Sequence, residues 1–143
     1  MKSNFTNRPR SCSFVGMIWK KFLPLLPVLL LTGCAAMFTR VTPVQQPRNP
    51  NNLYPVEVIF NSQQQSLRWD SIQPYVLVNG EPYPMRPVPM ITNRWEGLVP
   101  VPAGAGSVIY RFKFDYQYNN FGTQPKPDSA YSPEYKLKIV DQQ

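Results

Sequence analysis

Apolar and polar residues alternate along most of the chain beyond residue 54, and this period of two predicts β-strands. The clearest stretch is "SVIYRFKFDYQYN", in which aromatic and aliphatic side chains fall on one face and charged or amide side chains on the other. The apolar face consists of Val108, Tyr110, Phe112, Phe114, Tyr116 and Tyr118. A strand of this kind has one face in a core and the other in solvent.

Two shorter stretches repeat this pattern. "YPVEVIF" places Val56, Val58 and Phe60 on one face and predicts the first strand of the domain. "EYKLKIV" places Leu137 and Ile139 on one face and predicts the last strand. Because no stretch shows apolar residues at helical spacing over several turns, the sequence predicts an all-β domain.

Turn residues and prolines refine the predicted topology. Asn79-Gly80 in "YVLVNGEPYPM" is the commonest signature of a two-residue type I′ hairpin turn, because both residues tolerate a positive φ. We also interpret "PAGAGS" as a hairpin turn.

Three pairs of prolines stand two residues apart, so that both members of a pair lack an N–H on the same side of a strand. The pairs are Pro82 and Pro84, Pro87 and Pro89, and Pro100 and Pro102. Such segments pair on one side only, which predicts strands at sheet edges. Six or seven short strands in about 90 residues favour a small immunoglobulin-like β-sandwich.

The N-terminal segment has the layout of an export signal. Five basic residues and no acidic residue occur between positions 1 and 21, and a ten-residue run from Phe22 to Leu31 follows that is apolar apart from two prolines. A membrane-spanning helix needs about 18 or more apolar residues, so this run is too short to span. We interpret residues 1–33 as a cleaved signal peptide.

The residues "LTGC" at the end of this run resemble the lipobox of bacterial lipoproteins, in which small residues precede a cysteine. The resemblance implies that processing enzymes cut between Gly33 and Cys34 and attach a diacylglyceryl group to the Cys34 thiol as a thioether. Two or more acyl chains hold a protein stably on a membrane. Ala35 stands where an aspartate would resemble the inner-membrane retention signal, which favours the outer membrane, with the domain facing the periplasm and the inner-membrane outer leaflet as the less favoured site.

Residues 34–53 contain three prolines among glutamines and asparagines and show no sustained period. They predict a flexible tether, with a span of roughly 25 Å, between the lipidated cysteine and the domain. The predicted organisation is therefore a signal peptide at 1–33, a lipidated N-terminus and tether at 34–53, and a β-sandwich at 54–143.

Charge and residue content exclude several function classes. The formal net charge is +7, but residues 1–33 contribute +5 of it, and the remainder, with ten basic and eight acidic residues, contributes +2. Nucleic-acid binding needs clustered positive charge on the folded part, so it is not expected. Histidine is absent and Cys12 and Cys34 are the only cysteines, which excludes histidine-based catalysis and most zinc sites. We expect no enzyme, cofactor or metal site.

A second resemblance lies in "RWEGLVPVPAG" and "VIYRFKFD". These stretches are similar to the early-set, immunoglobulin-like domains related to glycogen- and starch-binding modules, and the similarity extends loosely over residues 75–140. The matching positions are Trp95, Val99, Pro100, Pro102, Gly104, Tyr110, Phe112 and Asp115. Tyr116 stands where that family has a turn glycine, so the sugar-binding loop of the family is not implied here.

Surface aromatics are the candidate binding residues. The candidates for ligand or partner contact are Trp69, Trp95, Tyr116, Tyr118 and Phe121, although packing of Trp95 in the core is the more usual role for such a residue. The sequence predicts a non-catalytic accessory lipoprotein of the cell envelope that binds a protein partner. The alternative is a carbohydrate-binding module that holds a glycan through Trp69 or Trp95.

Overall fold

The structure, a computed structural model, describes residues 36–122 and 124–141. The strands are β1 (Ala36–Arg40), β2 (Gln45–Pro47), β3 (Leu53–Ser62), β4 (Leu67–Val78), β5 (Glu81–Pro84), β6 (Arg86–Pro87), β7 (Arg94–Pro100), β8 (Ser107–Tyr118), β9 (Lys126–Tyr131) and β10 (Tyr135–Val140). The predicted all-β class is confirmed. Within the described residues we find no helix that could cross a membrane.

The strands form two sheets packed as a sandwich. One sheet has four strands in the order β1-β3-β7-β6, and the other has six, in the order β2-β10-β8-β4-β5 with β9 also paired to β8. Strand β8 is the centre of the second sheet, since it pairs with β4 on one side and, on the other, with β10 near its start and β9 near its end. Six or seven strands were predicted, and the described residues contain ten.

Aromatic side chains from both sheets meet in the core. The Phe60 and Phe114 rings stack with centroids 4.6 Å apart, and Trp95 meets Phe114 edge-on at 5.0 Å. The predicted inward faces of β3, β8 and β10 are confirmed, because their apolar alternate residues are almost all buried. Sheet-to-sheet contact of this kind fixes which side chains are left to face solvent.

The hairpin is also confirmed, and so is the edge position of Pro82, Pro84 and Pro87. Asn79 and Gly80 have φ of 51° and 89°, as a type I′ turn requires, and they join β4 to β5. Pro82 and Pro84 lie on β5, which forms one edge of the six-stranded sheet, and Pro87 lies on β6, an edge of the other sheet. Neither edge strand needs those missing N–H groups. The edge prediction is wrong for Pro100, which lies on the interior strand β7, and Pro89 and Pro102 lie outside the strands.

The prediction that "PAGAGS" forms a hairpin turn is wrong. It follows β7 of the four-stranded sheet and precedes β8 of the six-stranded sheet, so it crosses from one layer to the other. Gly104 supplies the positive φ of 81° for that crossing. The sequence pattern did not distinguish a hairpin from an inter-sheet connection because both need a glycine at a positive φ.

The predicted tether at 34–53 is wrong for residues 36–53, because these residues belong to the sandwich. Strand β1 pairs with β3 and its Phe38 ring packs 5.1 Å from Phe60 and 5.4 Å from Phe114. Strand β2 runs parallel to β10. Both are short edge strands, where prolines nearby and weak alternation are tolerated. The sandwich therefore begins at Ala36 and not at residue 54, and β3 is not its first strand.

Candidate binding surface

The outward side of the six-stranded sheet carries most of the exposed positive charge of the sandwich. In β8 the even-numbered residues point inward and the odd-numbered residues point outward. A residue of a neighbouring strand that pairs with an odd-numbered residue of β8 therefore also points outward. We call this surface the cationic face, and its members are Tyr75, Ile109, Arg111, Lys113, Tyr131, Lys136 and Lys138. Four strands, β4, β8, β9 and β10, place these side chains side by side.

One row of the cationic face alternates aromatic and cationic side chains. Lys113 on β8 lies directly opposite Tyr75 on β4 and Tyr131 on β9. Its Nζ is 6.0 Å from each of these ring centroids, and Arg111 Cζ lies 5.1 Å from the Tyr131 ring. Contacts of this kind hold a cation over an aromatic face. The two tyrosines therefore order the basic side chains beside them.

Asp115 lies in the next row and is satisfied within the sheet. Its carboxylate accepts hydrogen bonds from Lys113 Nζ at 2.8 Å and Ser129 Oγ at 2.6 Å. Burial raises the pKa of the Asp115 carboxyl, but those two hydrogen bonds and the charge of Lys113 outweigh it and hold the pKa below its ordinary value. The hydrogen bond to Asp115 raises the pKa of Lys113 and outweighs desolvation, which lowers it. Lys113 is therefore fixed and charged, and not available as a base.

Three cations of the cationic face have no acidic partner. All eight acidic residues of the chain lie in the described residues, and none is within 4.0 Å of the charged nitrogens of Arg111, Lys136 or Lys138. All three residues are exposed. Because neighbouring like charges lower stability slightly and none of these three cations is paired with an acid, the arrangement suits an acidic binding partner.

The outward side of the four-stranded sheet is different, since its charges are paired across strands. Arg94 Nε donates to Glu57 at 2.6 Å, and Arg86 Nε donates to Glu96 at 2.7 Å. We call this surface the paired face. At one end it has an open apolar groove of about 520 Å³ beside Leu98.

The groove floor depends on a glycine. A Cβ added at Gly97 would lie 2.9 Å from Met85 Cγ, so a larger residue there would displace Met85. The walls are apolar and include Leu53, Pro55, Leu98 and Pro100, with the Arg86–Glu96 ion pair at the rim. The groove offers contact area and little hydrogen bonding.

The placement of the acidic side chains in the described residues bears on metal binding. No group of three His, Cys, Asp or Glu side chains that could hold a metal ion occurs there. Asp128 accepts a hydrogen bond from the Tyr116 hydroxyl at 3.3 Å, and burial, with the nearby Asp128 charge, raises the pKa of Tyr116. These carboxylates act as structural hydrogen-bond acceptors.

Two of the five aromatic contact candidates are wrong. Trp95 is 6% exposed and Tyr116 is 5% exposed, so both belong to the core. Trp69 is 50% exposed and Phe121 is fully exposed, and Tyr118 is half-buried at the edge of the core. Burial follows strand parity for Trp95 and Tyr116, and surface exposure of Trp69 follows from the irregular pairing of β4 between Arg68 and Gln73.

Tyr75 and Tyr131 were missed as candidates. A signal for the cationic face was present, because Arg111 and Lys113 alternate with the inward residues of β8, and Lys136 and Lys138 do the same in β10. Their meeting on one surface depends on β8 and β10 pairing, which alternation within a single strand does not show. The predicted cleavage site at Gly33 and lipidation site at Cys34 lie outside the described residues.

Comparisons with known proteins give little. No protein-family model and no curated protein matches the chain. One solved structure similar to it is that of a DUF4785 family protein from Legionella pneumophila subsp. pneumophila str. Philadelphia 1, with 7% sequence identity and a TM-score of 0.39. The match covers 73% of this chain and 28% of that chain, so this chain spans less than a third of its length. At that score the likeness supports no inference about function.

Proposed function

We propose that this protein is a non-catalytic binding or accessory lipoprotein of the bacterial cell envelope that contacts an acidic protein partner through its cationic face. The observation that carries the proposal is that three exposed cations without acidic partners, Arg111, Lys136 and Lys138, lie on one face. Charge complementarity steers such partners and fixes their orientation.

The composition of the cationic face suits protein contact. Tyrosine and arginine are enriched at interface centres, and Tyr131 and Arg111 lie together at the middle of this surface. Ile109 adds an aliphatic side chain that is 53% exposed between them and the lysines of β10. A sheet face that combines aromatic, aliphatic and basic groups supports the proposed contact with a protein.

The membrane part of the proposal depends on the sequence. The "LTGC" resemblance supports a lipid on Cys34, attached by the lipoprotein-processing enzymes, and Ala35 supports outer-membrane placement facing the periplasm. An acylated N-terminus would hold the sandwich at that surface. The basic leader is lost in processing, so the cationic face becomes the main positive region of the mature protein.

A glycan is the second candidate ligand, and one observation favours it. The row beside Tyr75 and Tyr131 holds Gln73, Asp115 and Ser129, whose amide, carboxylate and hydroxyl groups can exchange hydrogen bonds with sugar hydroxyls. Aromatic side chains next to such groups are typical of sugar sites. The resemblance to glycogen-binding modules points the same way, but through different residues from the tryptophans first predicted.

In-cell photo-crosslinking tests the protein-binding proposal. A photo-reactive phenylalanine analogue is placed at Ile109 on the cationic face or at Leu98 on the paired face, positions that are 53% and 50% exposed. We expect a discrete protein adduct, identified by mass spectrometry, from position 109 and little from position 98. Adducts from position 98 alone would move the binding surface to the apolar groove and contradict the proposal.

A glycan-binding screen tests the second candidate. We expect no saturable binding by the purified protein. Saturable binding that is lost in Tyr75→Ala or Tyr131→Ala and kept in Trp69→Ala would replace the protein partner with a sugar at the same face. Binding that is lost only in Trp69→Ala would place the sugar elsewhere and contradict the role of the cationic face.

Mass spectrometry of the mature protein from membranes tests the anchor. We expect a chain that starts at Cys34 and carries two or three acyl chains. An unmodified chain starting at Met1 would contradict the lipobox interpretation, as would a Cys34→Ala variant that is still processed and remains with the membrane fraction.

A further inference from the structure

We propose that the end of the sandwich nearest Cys34 rests on the lipid bilayer through exposed apolar side chains. This inference rests on the lipid at Cys34 that the proposed function includes, and it does not depend on the protein partner. Three loops and the start of β1 make up this region. We call it the anchor end, and its members are the start of β1 at Ala36, the β3–β4 loop (63–66), the β6–β7 loop (88–93) and the described residues of the β8–β9 loop (119–122, 124 and 125).

The link between the predicted lipid and the sandwich is very short. Because β1 begins at Ala36 and not at residue 54, only Ala35 lies between Cys34 and the first strand. Two residues reach at most about 7 Å, so a lipid on Cys34 would place the start of β1 at the membrane surface. A 20-residue tether would have left the orientation of the sandwich free.

The strand registers place all three loops at this end. Ala36 pairs with Ser62, the last residue of β3, and Ile59 near that end pairs with Arg94, the first residue of β7. In the other sheet Leu67, the first residue of β4, pairs with Tyr118, the last residue of β8. Contact between the Phe60 and Tyr116 rings at 6.1 Å brings these two sheet ends together.

The side chains that project from the anchor end are unusually apolar. Phe121 and Met90 are fully exposed and Met37 is 60% exposed, and these are the three most exposed large hydrophobic residues in the described part of the chain. Trp69 lies near the start of β4, two residues after Leu67, and is 50% exposed. Soluble surfaces seldom present several such side chains at one end without a partner.

Charge is absent from the same loops. The segments "QQQS" at 63–66, "VPMITN" at 88–93 and "NNFGTQP" at 119–125 contain no acidic or basic residue. At the opposite end, the β2–β3 loop (48–52) includes Arg48, and neither this loop nor the β4–β5 turn (79–80) nor the β7–β8 connection (101–106) contains a large exposed hydrophobic residue. In the β1–β2 connection, Val41 and Val44 are 38% and 48% exposed. Uncharged loops with aromatic and methionine side chains can enter the headgroup region of either charged or neutral lipids, and the charged residues Arg68, Asp70 and Lys126, which are close by, lie on the strands that follow these loops.

Met90 adds an independent sign of a special role. It has a φ of 67°, a left-handed conformation that side chains other than glycine and asparagine seldom adopt. The conformation places a fully exposed methionine at the tip of the β6–β7 loop. Such a backbone conformation is unfavourable, and here it exposes an apolar side chain to solvent. Contact between that side chain and a partner would explain both features.

The occupant is a lipid surface because of where the chain enters the sandwich. Trp69, Met90 and Phe121 come from three separate segments of the chain. All three segments lie near the start of β1, where a lipid on Cys34 would be attached. Tryptophan favours the membrane–water interface. With the anchor end on the bilayer, the strands lead away from the membrane and the cationic face points sideways, open to a periplasmic partner.

Fluorescence quenching in vesicles tests this inference. The mature lipoprotein is purified from membranes and reconstituted into phosphatidylethanolamine–phosphatidylglycerol vesicles whose acyl chains do or do not carry bromine. Signal cleavage removes Trp19, so Trp69 is the exposed tryptophan and Trp95, in the core, is an internal reference. We expect brominated lipid to reduce the Trp69 emission at least twofold, and the signal that remains in Trp69→Phe to be unaffected.

Position 103 provides the matched control, since Ala103 lies exposed in the β7–β8 connection at the opposite end. In the Trp69→Phe background, Ala103→Trp should not be quenched, and Met90→Ser with Phe121→Ser in the wild-type background should reduce the quenching of Trp69. Quenching at position 103 and not at Trp69 would overturn the inference, as would equal quenching at both.

The outcomes separate this inference from the proposed function. Lipidated protein with an unquenched Trp69 overturns the membrane contact and leaves the lipid anchor of the proposed function standing. Protein without lipid on Cys34, shown by its mass, overturns both. Failure to find a partner at Ile109 affects only the cationic face.

Discussion

The two outward faces of the sandwich carry similar numbers of charged residues but arrange them in opposite ways. On the paired face, Glu57 meets Arg94 and Arg86 meets Glu96 across neighbouring strands. On the cationic face, Lys113 alone has an acidic partner, while the arginine and both lysines beside it have none. The paired face has its charges paired across strands, and three cations of the cationic face have no acidic partner in the described residues.

Stability alone does not explain the cationic face. Cross-strand opposite charges contribute up to about 1 kcal/mol per pair to a sheet, and unpaired like charges reduce it. A single acid in place of Lys136 or Lys138 would remove that cost, yet both positions of β10 are basic. Departures from the locally favourable choice tend to mark functional surfaces.

Reversing charge on the cationic face should have the largest effect. With the photo-reactive residue at Ile109, Lys136→Glu combined with Lys138→Glu should lower the adduct yield at least about tenfold, because an attractive contact becomes repulsive. Arg86→Glu on the paired face is the control and should leave the yield unchanged. A similar loss from Arg86→Glu would show that the two faces do not differ in binding.

Removing one partner of an ion pair on the paired face should have the next largest effect. Arg94→Ala leaves the half-buried Glu57 without its guanidinium and should lower the free energy of unfolding by about 1 kcal/mol. Lys136→Ala on the cationic face should change it by less than about 0.5 kcal/mol. Urea denaturation of the protein without its lipid measures both. Equal losses would contradict the difference in pairing.

The tyrosine beside Arg111 should have a smaller effect on binding. Tyr131→Leu keeps an apolar side chain but removes the ring that orders the guanidinium, which contributes about 0.5–1 kcal/mol at exposed sites. The adduct yield from Ile109 should therefore fall about two- to fivefold. Tyr131→Phe keeps the ring and should retain the full yield, so a loss in both variants would assign the role to the hydroxyl instead.

The smallest expected effect is the contribution of Asp115 to the pH dependence of the free energy of unfolding. Its pKa is lowered in the folded state, so it stabilises the fold above the ordinary carboxyl value, and that contribution is lost as the pH falls through the lowered pKa. Asp115→Asn should therefore remove a small part of the stability difference between pH 7 and pH 3 in urea denaturation. Asp70→Asn, at an exposed 3.5 Å contact with Arg68, is the control and should leave that difference unchanged.

Strong alternation made much of the fold predictable. β3, β8 and β10 follow a period of two with large inward side chains, and Asn79-Gly80 fixes one hairpin through its backbone preference. β1 and β2 escaped prediction because they have five and three residues. So few residues give no sustained period, and their place in the fold comes from pairing with distant strands.

The candidate site was less predictable than the fold. Tryptophans were predicted as contact residues from their type, and Trp95 proved to be in the core because its position on β7 points inward. Tyr75, Lys113 and Tyr131 come from three strands that are far apart in sequence, and only their register brings them into one row. Residue type gives the chemistry of a surface, and pairing decides which residues share it.

The ratio of in-cell adduct yields from Ile109 and Leu98 tests the central claim most directly, because the two residues are almost equally exposed on opposite faces. The unpaired charge of the cationic face predicts a yield from Ile109 that is at least about tenfold higher, with a protein partner in the adduct. Equal yields, or a higher yield from Leu98, would contradict the claim that the cationic face is the binding surface.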